Sequence, residues 1–155
     1  MKAISRRTML LVLSMVGSAS HRIRGQQLPG IDVYKDPTCG CCGLWVAHVR
    51  AQGFPATVTD VREIDAVKSK NHVPGALRSC HTALVGGYVI EGHVPAADIR
   101  RLLRERPKIA GLAVPGMPVG SPGMEGPNGR PYDVLTFDAA GKTTVYSSQA
   151  PSSRA

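Results

Sequence analysis

Apolar and polar positions change period several times along this chain, and each change marks an element. "IDVYKD" (residues 31–36) alternates and is β-branched at its start, which predicts a strand. Pro37, Thr38 and Cys39 then turn the chain. From Cys42 the apolar positions take up helical spacing. Leu44, Trp45, Val46, Val49 and Ala51 form one face, and Gly53 stops the helix. "PATVTDV" (residues 55–61) predicts a second strand, and "REIDAVKSKN" a short helix with Ile64 and Val67 three apart. "VPGALRSC" reads as a loop. "HTALVGGYVIEGH" (residues 81–93) reads as a hairpin turning at Gly86-Gly87. "PAADIRRLLRER" predicts a helix opened by Pro95 that buries Ile99, Leu102 and Leu103.

The predicted order is β-α-β-α-β-β-α, which makes an α/β domain of thioredoxin-like arrangement, parallel strands first and an antiparallel hairpin after. Residues 107–131, "PKIAGLAVPGMPVGSPGMEGPNGRP", form a Gly/Pro-rich stretch longer than compact domains usually leave without structure, and such loops are commonly functional. "YDVLTFDAAGKTTVYSS" predicts two strands around an Ala-Ala-Gly turn, a hairpin appended to the domain. The thioredoxin-like domain is placed at residues 25–148, with a flexible tail at 149–155.

Composition and charge narrow this picture. The chain has 155 residues, 43% of them apolar, which suits one domain with a real core. Lys2, Arg6 and Arg7 precede a short apolar run, "TMLLVLSMVGSA", that ends in small residues. A basic start, a short apolar middle and small residues describe a signal peptide, placed at residues 1–24, and the run is too short for a comfortable membrane span. The adjacent arginines of "SRRTML" point to twin-arginine export. Removing the first 20 residues takes three positive charges from the net +8 and leaves +5. The rest is dispersed. Its densest cluster, "IRRLLRER", alternates with leucines on a predicted helix, and no basic patch interleaved with aromatics argues for nucleic acid. No stable membrane anchor is expected.

The candidate chemistry lies in "DPTCGCCGLW". It sets Cys39, Cys41 and Cys42 within four positions, between the first predicted strand and helix. The thioredoxin-like topology also brings the residues just before the third strand to this motif. Thioredoxins carry a cis-proline there, and this chain carries Ser79, Cys80 and His81. Two readings follow. Cys39 and Cys42 could be the nucleophile and resolving thiol of a thiol-disulfide oxidoreductase, since a helix N-terminus favours the thiolate. Cys41 and Cys80 would then be free to scramble its mixed disulfides. Alternatively, four thiolates could hold metal. Adjacent Cys41 and Cys42 suit one tetrahedral zinc poorly and bridge several ions more readily. Soft thiolates in an exported protein fit Cu(I) best. His81, His93, Met117 and Met124 supply further donors, the methionines in the Gly/Pro stretch as a lid. His48 reads as a partly exposed helix residue, His72 as a capping or surface residue and Trp45 as core. In an oxidising compartment the metal-free thiols are expected to be partly oxidised.

"TCGCCGLW", "SCHTA", "GYVIEGHVPAADI" and "GLAVPGMPVGSPGME" occur here in order, and together they resemble a family of small bacterial periplasmic metal-binding proteins, the CopG copper-resistance family. The resemblance spans residues 31–148. It implies a thioredoxin-like fold, copper handling in the periplasm and a cysteine-bridged multinuclear copper site at Cys39, Cys41, Cys42 and Cys80. The expected function is therefore periplasmic Cu(I) binding for copper resistance, with a copper oxidoreductase activity within reach of such a cluster. Other periplasmic copper-handling proteins are the expected partners. A single-ion copper chaperone and the thiol-disulfide oxidoreductase are the alternatives.

Overall fold

A computed structural model describes residues 27–151, so the expected signal peptide lies outside the described residues. The described residues form a mixed α/β domain with three α-helices and one seven-stranded sheet. In chain order the elements are β1 (Ile31–Lys35), α1 (Gly40–Ala51), β2 (Ala56–Asp60), α2 (Ile64–Lys70), β3 (His81–Val85), β4 (Tyr88–Glu91), α3 (Ala96–Glu105), β5 (Gly111–Ala113), β6 (Tyr132–Phe137) and β7 (Thr143–Gln149). A single 3-10 turn, Gly75–Leu77, precedes β3. No helix among the described residues is long and apolar enough to cross a membrane.

The sheet order is β2-β1-β3-β4-β5-β6-β7. β1 runs parallel to β2 and antiparallel to β3, with Lys35 opposite His81. The β3–β4 hairpin turns at Gly86 and Gly87, whose φ values of 57° and 89° are those a two-residue turn of the right twist requires. β3 is therefore central, paired on both sides, and its lone-face alternation disappears: His81, Thr82, Ala83 and Val85 are all buried.

Two expectations are corrected here. The Gly/Pro stretch is not free of structure: Gly111–Ala113 pairs parallel to β4. Nor is the last hairpin appended. β5 pairs antiparallel with β6, so β6 and β7 continue the one sheet. A three-residue strand made of Gly, Leu and Ala has neither the length nor the β-branching that marks a strand in sequence, and its partners on both sides decide its conformation.

Helix α1 also differs from its predicted face. It starts at Gly40 with Cys39 as N-cap, and it buries Cys42, Trp45, Val46 and Val49. Leu44 is 49% exposed and Ala51 is exposed, so neither belongs to the apolar face. The core joins this face to Ile31 and Val33 of β1, Ala83 and Val85 of β3, Ile90 of β4, and Ile99 and Leu102 of α3. Burial of these side chains is the main stabilising term, about 1.5–3 kcal/mol for each Val, Ile or Leu. The packing fixes the start of α1 against the ends of β3 and β4.

Candidate metal centre

The start of α1 is held by a short turn. Asp36 accepts hydrogen bonds from the backbone N–H and the hydroxyl of Thr38, which lower its carboxyl pKa, and its carbonyl accepts the Cys39 N–H at 3.0 Å. Cys39 then caps the helix while Cys41 and Cys42 occupy its first turn. An N-cap side chain reaches back over the third helical residue, and the sulfurs of Cys39 and Cys42 are joined in a disulfide. Cys41 and Cys80 are free thiols. Cys41 Sγ lies 3.5 Å from Cys39 Sγ on one side and 3.7 Å from Met117 Sδ on the other. The four-thiolate arrangement therefore belongs to the reduced protein.

Cys80 arrives from the opposite side, one residue before β3. Sulfur atoms of Cys39, Cys41, Cys42 and Cys80 all lie within 4.8 Å of one another. Cys80, His81 and His93 form a second group within the same limit. Cys80 thus belongs to both groups.

The histidines are oriented for this role. Nδ1 of His93 lies 2.7 Å from the Pro122 carbonyl oxygen, so it carries the proton and donates. That leaves Nε2 bare, 3.0 Å from Cys80 Sγ, where it accepts from the thiol. Nδ1 of His81 lies 3.4 Å from the same sulfur, and the buried Nε2 of His81 has no hydrogen-bond partner among the described residues. The His81 ring stands 4.4 Å from that of Trp45, whose Nε1–H donates to the Val94 carbonyl at 2.9 Å.

Burial shapes the electrostatics. It pushes the Cys80 thiol up to about 12, and the nearby Cys41 sulfur adds to the rise. Burial pulls both imidazoles down. His81 falls well below its ordinary value, reinforced by His93 and Lys68, and His93 falls with the Pro122 bond and Glu125 opposing. Both histidines are consequently neutral and available as ligands, whereas Cys80 binds metal only by losing its proton.

Behind β3 lies a network that the sequence reading missed. Lys68 of α2 and Glu91 of β4 are 2% and 0% exposed and form an ion pair at 2.6 Å. The same Glu91 oxygen accepts the Ser79 N–H at 2.6 Å, and its other oxygen accepts the Thr82 hydroxyl at 2.7 Å. Lys68 also donates to Thr82 at 3.2 Å. Glu91 therefore holds the residues on either side of Cys80 and His81, Ser79 by its backbone N–H and Thr82 by its hydroxyl. The one available signal is position: Lys68 lies four residues after Ile64, on the apolar side of α2, and Glu91 interrupts the apolar run "YVI".

The remaining donors differ in placement. Met117 is 47% exposed and touches Cys41. Met124 is fixed by backbone bonds, its N–H to the Ser121 carbonyl and its carbonyl to Gly120. Their loop seats on α1 at Gly123, where a Cβ would stand 2.7 Å from the Trp45 nitrogen. His48 is half-buried and accepts the Ala96 N–H at 3.2 Å, and His72 is exposed.

Comparison with known proteins bears on this arrangement. A family described as "Protein of unknown function, DUF411" matches residues 77–124, which hold Cys80, both histidines and the methionine loop. No curated protein matches the chain. Among solved structures, one titled "Copper resistance protein copG- Form 1" is 46% identical, with a TM-score of 0.74, covering 79% of this chain and 98% of that one. A second, "Copper resistance protein copG- Form 2", is 45% identical, with a TM-score of 0.75, covering 79% and 99%. The chain belongs to the CopG copper-resistance family. Its α/β sheet is that of the CopG structures, and its cysteine cluster is able to hold metal.

Proposed function

We propose that this protein is a periplasmic copper-binding protein serving copper resistance. Its reduced form holds several Cu(I) ions bridged by Cys39, Cys41, Cys42 and Cys80. His81 and His93 complete the buried side, while Met117 and Met124 on their loop cover the open side. The bound copper cycles between Cu(I) and Cu(II). The fold is thioredoxin-like, a reading supported by the strand order β2-β1-β3-β4 and by cysteines at the start of α1. Export through an N-terminal signal segment places it beside other periplasmic copper-handling proteins.

The observation that carries this reading is the convergence of four sulfurs within 4.8 Å of one another, one of them shared with two neutral histidines. Thiolate and imidazole together suit copper, and adjacent sulfurs favour bridging over a single tetrahedral ion. Elemental analysis with thiol counting, on reduced protein purified from the periplasm, tests it. Several coppers per chain with all four thiols protected is the expected result. One zinc per chain, or no metal, overturns it.

The Cys39–Cys42 disulfide supports a second reading, a thiol-disulfide oxidoreductase. If Cys41→Ser and Cys80→Ser each leave insulin disulfide reduction intact and copper is negligible in the parent protein, this second reading holds and the first fails.

A further inference from the structure

The four cysteines are not equivalent. Cys39 and Cys42 are bonded, while Cys41 and Cys80 keep their thiols, and each free thiol has its own soft or borderline neighbours. Cys41 stands 3.7 Å from the Met117 thioether, and Cys80 stands 3.0 Å from the bare Nε2 of His93. A dithiol that closes to a disulfide releases two electrons. Two donor groups remain after it closes. We propose that Cys39 and Cys42 are the electron source of a cupric-reducing step, in which two Cu(II) ions are reduced and the two Cu(I) products are held at Cys41–Met117 and at Cys80–His81–His93. This rests on the copper reading and assigns separate tasks within that site.

The step balances. The S–H bonds of Cys39 and Cys42 break, the Cys39–Cys42 S–S bond forms, and two protons leave to solvent. Each of two Cu(II) ions takes one electron. Cu(II) is the oxidant, and no oxygen is consumed. The local structure selects this pair. Cys39 as N-cap stands against Cys42, the third residue of α1, with Cα atoms 5.5 Å apart. Cys80 is aimed instead at two histidines by the Glu91 grip on Ser79. After closure the remaining thiolates, thioether and imidazoles are donors that suit Cu(I).

The test uses fully reduced protein and cupric chloride without oxygen. Loss of the Cu(II) electron paramagnetic resonance signal counts reduction, a Cu(I) chelator counts product, and alkylation with peptide mapping locates the lost thiols. Two Cu(I) per chain is expected, with thiol loss at Cys39 and Cys42 and, after copper removal, alkylation at Cys41 and Cys80. The variant with Cys39→Ser and Cys42→Ser should reduce Cu(II) at least tenfold more slowly. Thiol loss spread over all four cysteines, or reduction at the parent rate in that variant, overturns the proposal. Parent protein that binds supplied Cu(I) but leaves Cu(II) unreduced overturns it while sparing the copper reading. Failure to bind either ion overturns both. Because the mapping is done on the parent protein, a variant that fails to fold does not remove the test.

Discussion

Cys80, His81 and His93 stand at the ends of two central strands, whereas Cys39, Cys41, Cys42 and Met117 stand on a helix start and a loop. The first wall has both histidines buried and Cys80 half-buried, and it is gripped from behind by Lys68, Glu91 and Thr82. The second is partly open, and its most exposed donor is Met117. Charge-assisted hydrogen bonds in a dry interior hold the strand-end donors in one arrangement. The helix start carries the Cys39–Cys42 disulfide instead. One wall is held still by a buried ion pair, and the other carries the sulfur–sulfur bond.

The strongest way to break this contrast is through Glu91. Glu91→Gln leaves the Lys68 ammonium buried and uncompensated, and should cost about 3–5 kcal/mol in urea unfolding. Cys41→Ser, on the other wall, should stay within about 0.5 kcal/mol of the parent. Equal effects would show that the two walls are not mechanically distinct. Next in size is His93→Ala, which removes the Pro122 anchor and the donor facing Cys80. A copper titration of the reduced protein should then show affinity lowered by roughly 10–100-fold.

Acid should sharpen the same contrast. Folding holds the pKa values of His81 and His93 below the ordinary 6.5, so at low pH the unfolded chain binds more protons than the native one. Metal-free protein should keep its full stability above about pH 6.5 and lose it as pH falls toward the depressed values, by at most about 1.4 kcal/mol per pH unit for each histidine. A pH series of melting curves would show it, and His81→Leu should flatten the slope. The smallest effect belongs to Met117→Leu. Stability should change by less than about 0.5 kcal/mol, because the side chain is half exposed. Copper release measured by competition should speed up only a few-fold. A larger loss would make Met117 a fixed ligand of the still wall rather than part of the open one.

Much of this was legible along the chain. The alternation of "IDVYKD", the glycine pair of "LVGGYV" and the helical spacing after Cys42 are local patterns, and each produced its element. The Cys-x-x-Cys spacing also offered Cys39 and Cys42 as a pair, one of the two readings of the cluster. The strand at Gly111–Ala113 was not legible, because a three-residue segment takes its conformation from β4 and β6. Leu44 and Ala51 are apolar yet exposed, so periodicity alone overcounted the face of α1.

The sequence by itself determined the element order through the third helix, the helix-start cysteines and the family to which the chain belongs. Only the tertiary structure decided that Cys80 serves two donor groups, that His93 presents Nε2 because Pro122 takes Nδ1, and that Lys68 and Glu91 meet behind the site. The physical reason is range. Helix and turn preferences act over three or four residues, whereas a buried ion pair 23 residues apart in sequence exists only once packing has excluded water around both partners.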